Sequence, residues 1–322
     1  SESRTGANIT EGELRMCDRT LRDLTDRGQS IHAAMVNNPD RFTFSLKTAY
    51  RYVNGGLLST KRHNLPRACM VKPRRGKGVE HRVDKTCRVG RTWDDYLKFV
   101  EGNPGVRVVE MDTVEGARGG KALLTLIFNP FNFMLAFLVD AKTSECVLGV
   151  FSAILSALKE RYGEDGGREV FSRLFPVILT DNGTEFSNPA RIEFDADGSR
   201  LTSVFYCNAY ASYEKPHVER NHGFIRLVLP KGTAYTEPAP FDGLTQHGVS
   251  LMMSHVNSYV RKGLGNKTPY DLFTAEQGEE IANIFGISRI AANDVTLRPS
   301  LLGIEVKVKE SVSPAETAPA GK

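Results

Sequence analysis

The sequence predicts an α/β protein: a mixed sheet covered by helices, preceded by a small all-helical domain. Three apolar, strand-like runs joined by short connections lie within residues 106–139. After them, helix-like and strand-like segments alternate, so that the order of elements is β-β-β-α-β-β-α, which favours a mixed sheet flanked by helices. Before position 60 the chain shows only the apolar spacing of helices.

The all-helical domain is predicted over residues 1–60. Two of its helices, over residues 30–37 and 45–54, are short and flank a turn, which is typical of a helix-turn-helix. The second helix carries Lys47 and Arg51, and we predict that both contact DNA. The alternative is a small three-helix bundle without a DNA-binding role.

The formal net charge of +4 is distributed unevenly along the chain. From Lys61 to Arg91, eleven Lys and Arg residues are opposed by two acids, so the rest of the chain is net acidic. A localised basic stretch joined to folded domains is typical of nucleic-acid binding, although a solvated linker is the alternative. We interpret residues 61–104 as a basic linker that ends in a docking helix. The DNA contacts predicted in it are Lys61, Arg62, Arg74, Arg75 and Lys77.

Residues 105–275 form the predicted catalytic domain. Its strands are predicted over residues 106–113, 122–128, 133–139, 175–180 and 201–206. Its helices are predicted over residues 143–163, 216–229 and 244–262, and the first of them is expected to end at Gly163. A C-terminal extension over residues 276–302 and a disordered tail over residues 303–322, rich in Pro, Ala, Ser, Glu and Lys, are expected to follow.

Three carboxylates stand at positions where strands and a helix bring side chains together. Asp112 lies near the end of an apolar strand, Asp181 directly follows another, and Glu219 falls in the first turn of a helix begun by Pro216. Three clustered acids repel one another unless cations neutralise them. Oxygen ligands without His or Cys select Mg²⁺ or Mn²⁺. We therefore predict two Mg²⁺ ions, replaceable by Mn²⁺, which activate the attacking oxygen and stabilise the leaving oxygen of a phosphodiester.

Each of these acids also has a simpler structural interpretation. Asp181 begins an Asp-Asn-Gly turn, and an acid such as Glu219 is favourable at a helix N-terminus. Glu214 is an alternative third carboxylate. Glu110 and Glu185 are expected to support the site or to lie at the surface.

Cysteine and histidine patterns exclude other classes of site. The five cysteines include no C-x-x-C pair, which argues against both a disulfide framework and a zinc site. The histidines also lack the paired spacing of zinc ligands. No apolar run reaches the roughly 18–20 residues of a membrane helix. We expect a reducing, intracellular compartment and no membrane partner.

Several segments resemble DDE transposases and retroviral-type integrases, and most of all the insertion-sequence-thirty family of bacterial transposases. The matching segments are VEMDTV at 109–114, LTDNGTEF at 179–186, ERNHGFIR at 219–226, LPKGT at 229–233 and KTPYDLF at 267–273. The resemblance covers about residues 20–275. It implies a ribonuclease-H-like fold, a DDE triad at Asp112, Asp181 and Glu219, and Mg²⁺-dependent cleavage and joining at transposon ends.

The resemblance also implies partners and a location. The expected partner is double-stranded DNA, at the terminal inverted repeats of the transposon and in the target, bound by a homodimer or higher oligomer in the nucleoid of the bacterial cytoplasm. Further DNA contacts are predicted around the site, at Arg118, Lys121, Lys215, Arg220, His222 and Arg226. The alternatives are a structure-selective nuclease of the same fold and a catalytically silent, transposase-derived DNA-binding regulator.

The sequence departs from the family pattern in two places. Thirty-seven residues (182–218) separate Asp181 from Glu219. This interval is longer than the family's usual one, through an insertion around residues 189–199. A further helix-turn-helix that typically opens the family is missing from the pattern, so we expect an N-terminally trimmed chain.

Overall fold

The computed structural model describes residues 9–66, 86–116, 119–209, 211–232 and 236–307. Its centre is a five-stranded sheet with the strand order β3-β2-β1-β4-β5. The strands are β1 (Val108–Glu115), β2 (Ala122–Phe128), β3 (Phe133–Val139), β4 (Val177–Thr180) and β5 (Ser203–Tyr206).

The strand directions make this sheet mixed. Strand β1 pairs antiparallel with β2 and parallel with β4. Strands β2 and β3 pair antiparallel, and β4 and β5 pair parallel. Helices flank the sheet, and the N-terminal region is helical. The predicted mixed sheet flanked by helices and preceded by a helical region is therefore confirmed.

Helices cover both faces of the sheet, which explains why every residue of β2 is buried. The helices of this part of the chain are α4 (Trp93–Gly102), α5 (Ser144–Leu174), α6 (Ala190–Glu193), α7 (Pro216–Val228), α8 (Gln246–Asn257), α9 (Pro269–Gln277) and α10 (Glu279–Ile284). Helix α4 is the expected docking helix: its Trp93, Tyr96 and Phe99 pack against Phe205 and neighbouring residues of β4 and β5. No helix within the described ranges is both long and apolar enough to span a membrane.

Helix α5 consists of two helical segments separated by Gly163. The backbone leaves helical geometry at this glycine (φ 79°, ψ 171°), and a second segment follows up to Leu174. A Cβ on Gly167 would lie 2.5 Å from the Cα of Lys159, although these residues would be about 12 Å apart along a straight helix. The chain therefore bends sharply at Gly163, and the two halves of α5 pack against each other. The expected end of the first helical segment at Gly163 is therefore confirmed, and the second segment, up to Leu174, was not predicted.

The N-terminal region contains α1 (Glu11–Asp26), α2 (Ile31–Asn37) and α3 (Leu46–Asn54). These helices have a small core of their own, with Leu21, Ile31 and Tyr52 fully buried. The connection between α2 and α3 spans eight residues, 38–45, whereas the turn of a helix-turn-helix has about 3–4. The three helices are confirmed, and the helix-turn-helix assignment stays a prediction.

The predicted C-terminal extension, residues 276–302, forms hydrogen bonds with the N-terminal helical region. Gln29 Nε2 donates to the backbone oxygens of Ala292 and Val295, both at 2.9 Å. Leu297 N donates to Arg27 O at 2.7 Å. A Cβ on Gly28, which has φ +83°, would lie 2.5 Å from Leu297 O, so only glycine permits this approach.

Some predictions lie outside the described residues. They concern the DNA contacts at Arg74, Arg75, Lys77 and Arg118, and most of the predicted tail, from position 308 onward.

Candidate functional site

Asp112 and Asp181 lie side by side on neighbouring strands. The parallel register of β1 and β4 pairs Glu110 with Leu179, so Asp112 is level with Asp181, the first residue after β4. Thr180 Oγ1 donates to Met111 O at 3.3 Å and links the two strands just before the aspartates. The strand order thus brings together two acids that are far apart in the sequence.

In each aspartate, one carboxylate oxygen accepts a hydrogen bond from a nearby backbone N–H. The other oxygen faces the space shared by the two side chains. Asp112 Oδ1 accepts from the backbone N of Thr113 at 2.7 Å, and Asp181 Oδ1 accepts from Gly183 N at 3.0 Å. The second contact is the Asp-Asn-Gly turn expected from the sequence. Both Oδ2 atoms face Lys215, whose Nζ is 3.5 Å from that of Asp112 and 3.9 Å from that of Asp181.

The Lys215 ammonium is enclosed by the protein. Its side chain is only 7% exposed, compared with 22% for Asp112 and 48% for Asp181. Lys215 Nζ also donates a hydrogen bond to Met111 O at 3.1 Å. The site therefore consists of two carboxylates that converge on one buried cation.

Helix α7 runs alongside β1 in the same direction. Near the start of the helix, Val218 N donates to Glu110 Oε2 at 2.9 Å. Near its end, Arg226 Nη2 donates to Glu115 O at 2.8 Å. Glu219 directly follows Val218, so its backbone lies beside the part of β1 just before Asp112.

A threonine and a histidine fix the middle of α7 to the site. Thr125 of β2 is paired with Asp112, and its Oγ1 donates to Asp112 O at 3.0 Å. His222 Nε2 lies 2.8 Å from the same Oγ1. Because a hydroxyl has one proton, His222 Nε2 donates to Thr125 whenever Thr125 donates to Asp112. Burial, reinforced by the positive charges of Lys215 and Arg226, lowers the pKa of His222 to about 3, so its ring is neutral.

The third predicted carboxylate is placed differently from the two aspartates. Glu219 is exposed, in the first turn of α7. Within the described residues, no group of three His, Cys, Asp or Glu side chains is arranged to hold a metal ion. The structure therefore brings together Asp112 and Asp181, and the assignment of Glu219 as the third ligand stays a prediction.

The alternative carboxylate, Glu214, has a structural role in the loop before α7. Its side chain is buried. Its Oε2 accepts from the backbone N of Asn208 at 2.7 Å, and its Oε1 accepts from Asn208 Nδ2 at 2.9 Å. Both oxygens are thus engaged in holding the loop, which favours Glu219 over Glu214 as a metal ligand.

Two further acids support the site from buried positions. Glu110 accepts from Asn129 Nδ2 at 2.8 Å, in addition to its bond to α7. Glu185 accepts from Thr113 Oγ1 at 2.9 Å and lies 3.2 Å from Lys142 Nζ. Burial raises the pKa of both carboxyl groups, against the opposing effect of their hydrogen bonds and of nearby positive charges.

The predicted DNA contacts fall into two groups. The exposed ones are Lys47, Arg51, Lys61, Arg62 and Arg220. Those with protein partners are Lys121, 3.8 Å from Asp140, together with Lys215, His222 and Arg226. Burial lowers the pKa of Arg226, which is held against Glu115 O. Contacts of either group with DNA stay predictions.

Thr125 was not among the residues selected from the sequence. Its signal is visible in retrospect, because it is the single polar residue in the otherwise apolar run of β2, Ala-Leu-Leu-Thr-Leu-Ile-Phe. A buried hydroxyl in such a run needs a hydrogen-bond partner. The position of Lys215 between the aspartates has no comparable signal in the sequence.

Comparison with known proteins gives relatives among transposases and integrases. No protein-family model matches the chain. It is 25% identical over 251 residues to a probable transposase for insertion-like sequence element IS1161 of Streptococcus salivarius, an alignment that covers 77% of this chain and 64% of the relative. It is 25% identical over 233 residues to a putative integrase, ORF3, of Spiroplasma virus SpV1-R8A2 B, covering 72% and 64%. The chain thus spans a little under two thirds of the length of both relatives.

Among solved structures, the catalytic core domain of BIV integrase aligns with 54% of this chain and 97% of its own, at 18% identity and a TM-score of 0.34.

Proposed function

We propose that this chain is a DNA transposase of the insertion-sequence-thirty type, which cleaves phosphodiester bonds at transposon ends and transfers the freed strand to target DNA. The observation that carries the proposal is the convergence of the Asp112 and Asp181 carboxylates at the ends of neighbouring strands. Sequence similarity to a transposase and an integrase supports DNA as the substrate.

The donor atoms of the site suit a divalent metal ion. Asp112 and Asp181 offer carboxylate oxygens without nitrogen or sulfur ligands, a set that favours Mg²⁺ or Mn²⁺. The buried Lys215 ammonium between them supports the idea that this space accepts positive charge. Glu219 is the proposed third ligand. Two ions held there would activate the attacking oxygen and stabilise the leaving oxygen of the phosphodiester.

The chain's own residues have two further roles in this proposal. Glu110 and the Thr125–His222 contact hold α7 along β1, which would keep this helix in position to present Glu219 as the third ligand. Exposed cations, among them Arg220 next to the site, bind the phosphates of the transposon end and the target. Such contacts weaken steeply as the salt concentration rises. Because two ends must be joined, we propose that a homodimer or higher oligomer acts on DNA.

The test is a strand-transfer assay with labelled duplexes that carry the terminal repeats, in Mg²⁺ or Mn²⁺ and with EDTA as a control. Wild type is compared with Asp181→Asn, Glu219→Gln and Glu214→Gln. We expect cleaved and joined strands from wild type and from Glu214→Gln, and neither from the other two variants. Circular dichroism confirms that each variant is folded.

Other outcomes identify other functions. Cleavage without joining indicates a structure-selective nuclease. Equal DNA binding by all four proteins, with no cleavage under either ion, indicates a DNA-binding regulator. Loss of activity in Glu214→Gln but not in Glu219→Gln moves the third carboxylate to Glu214.

A further inference from the structure

The Lys215 ammonium occupies the place where the two aspartates converge. The distances of 3.5 and 3.9 Å to Asp112 Oδ2 and Asp181 Oδ2 exceed the roughly 2.7–2.9 Å of a charge-assisted hydrogen bond. Its hydrogen bond goes to Met111 O instead. The ammonium therefore attracts both carboxylates through its charge and offsets part of their negative charge, without a close hydrogen bond to either.

The three charges depend on one another. An ammonium that is 93% removed from solvent is costly unless negative charge is near, and two neighbouring carboxylates repel unless positive charge is near. Each Oδ1 is already bonded to a backbone N–H, so the Oδ2 atoms are the oxygens directed at the shared space. Lys215 thus places a single positive charge at the position where a divalent metal ion would place two.

We infer that Lys215 is an internal counter-cation that a divalent metal ion has to displace, so that the ammonium and the ion compete for the same oxygens of Asp112 and Asp181. This inference rests on the proposed function, because it takes both aspartates as metal ligands. A Mg²⁺ ion binds its oxygens at about 2.0–2.1 Å, which leaves no room for an ammonium between the same two oxygens. The long, flexible stem of lysine allows the ammonium to leave without a change in the fold.

Competition also explains why a lysine predicted to contact phosphate is found inside the site. In the metal-free protein Lys215 partly neutralises the aspartates. When it is displaced, its charge becomes available to the phosphate that arrives with the DNA. The alternative is that the ammonium stays in place and supports metal binding. Removing the charge of Lys215 would then weaken metal binding, whereas under competition it strengthens metal binding.

The experiment measures Mn²⁺ binding without DNA, by calorimetry and by the electron paramagnetic resonance signal of free Mn²⁺. Lys215→Met keeps the length of the side chain and removes its charge. Lys142→Met is the matched control, because Lys142 also lies near buried acid, 3.2 Å from Glu185, but not between the aspartates. We expect Lys215→Met to bind Mn²⁺ roughly ten-fold more tightly, an effect of the size typical of groups that contact metal ligands, and Lys142→Met to bind almost as wild type does.

Thermal unfolding gives a second readout that needs no activity. Without metal, Lys215→Met leaves two uncompensated carboxylates and should melt at a lower temperature than wild type. Added Mn²⁺ should raise the melting temperature more in Lys215→Met than in wild type. The double variant Asp112→Asn with Lys215→Met should regain stability without metal, because the repulsion is gone. If Lys215→Met does not fold, Lys215→Gln, which is polar and uncharged, takes its place.

The outcomes separate this inference from the proposed function. If wild type binds Mn²⁺ and Lys215→Met binds it equally or more weakly, Lys215 does not compete, and the proposed metal site stands. If Lys142→Met tightens binding as much as Lys215→Met does, the effect is one of net charge, and the inference fails. If no variant binds Mn²⁺ at millimolar concentration, both the metal site and the inference are overturned.

Discussion

Two regions of this molecule place aspartates beside cations, and they do so differently. Asp195 accepts from Lys159 Nζ at 2.8 Å and from Arg168 Nε at 2.7 Å. One carboxylate there has two hydrogen-bonded cations. At the candidate active site, two carboxylates share the single ammonium of Lys215 at longer distances.

The electrostatic consequences of the two arrangements are opposite. The hydrogen bond from Lys159, with further support from Arg168, lowers the pKa of Asp195 to about 2. Its negative charge is fully compensated within the fold. Asp112 and Asp181 together carry more negative charge than Lys215 neutralises, so they keep an affinity for further positive charge. The first arrangement stabilises structure, and the second is suited to binding an exchangeable cation.

The position of the Asp195 cluster shows what it stabilises. Lys159 and Arg168 lie on either side of Gly163, where α5 bends. Asp195 lies within residues 189–199, the segment that the resemblance predicts to be an insertion. One carboxylate thus joins the two halves of α5 to this segment.

The largest expected difference between the regions is in activity. Asp181→Asn should reduce strand cleavage at least roughly 100-fold, because it removes a proposed ligand of the metal ions that would stabilise the charge of the transition state. Asp195→Asn should keep a cleavage rate close to that of wild type, when both are assayed well below their melting temperatures. Initial rates in Mn²⁺ measure this difference. Equal losses in the two variants would show that the site depends on the contacts of Asp195, and the distinction between the regions would be lost.

The second difference is in stability. Asp195→Asn should lower the free energy of unfolding by about 1–2 kcal/mol at neutral pH, less than the full pKa shift implies, because solvent reaches both cations and screens them. Since the folded pKa is the lower one, this stability is present above the ordinary pKa of 3.8 and is lost as the pH falls towards about 2. Urea unfolding at several pH values measures it.

The matched control for this effect is Asp197→Asn. Asp197 lies 3.0 Å from Arg168 Nη2, but its side chain is 46% exposed. We expect a much smaller loss of stability than in Asp195→Asn. A variant Asp195→Asn that is as stable as wild type at every pH would refute the structural role of the cluster.

The third effect concerns how α7 is attached to the site, and it is small close to neutral pH. The pKa of His222 is lowered from 6.5 to about 3. Because the folded pKa is the lower one, stability is complete above pH 6.5 and declines as the pH falls below it, by at most about 1.4 kcal/mol per pH unit. In His222→Gln this decline should be weaker. It should not vanish, since burial lowers the pKa of His255 as well.

Urea unfolding of His222→Gln, at mildly acidic and at neutral pH, measures this contribution. His247→Gln is the control, because that histidine is exposed on α8. If the free energy of unfolding has the same pH dependence in wild type and in His222→Gln, the ring of His222 is not buried in its neutral form against Thr125.

Local signals explain what the sequence predicted well. The bounds of β2 and β3 agree with the prediction, since both are apolar runs separated by a short turn. Strand β1 begins and ends two residues later than expected. The end of the first segment of α5 at Gly163 was predicted correctly, because a glycine commonly ends a helix, but the second segment was missed. That segment is held by tertiary contacts, in which Val170, Phe171 and Leu174 are buried.

The part of the candidate site that the sheet positions could be predicted from the sequence. Asp112 and Asp181 stand out as acids at the ends of apolar strands, and the parallel pairing of β1 with β4 brings them together. The burial of Lys215 depends on how the loop before α7 approaches β1. This is a tertiary contact, and no periodic pattern in the sequence indicates it. The same holds for the contacts between the N-terminal helices and residues 292–298.

Those last contacts have a consequence for the order in which the protein can acquire its structure during synthesis. The N-terminal helices leave the ribosome early, and domains generally fold as they emerge. Yet the carbonyl group to which Gln29 donates belongs to Ala292, 263 residues later in the chain. Until that segment has been translated, the side-chain amide of Gln29 and the carbonyl of Arg27 lack their native partners. The helices made early in translation can therefore take their final places only after a segment made much later has arrived.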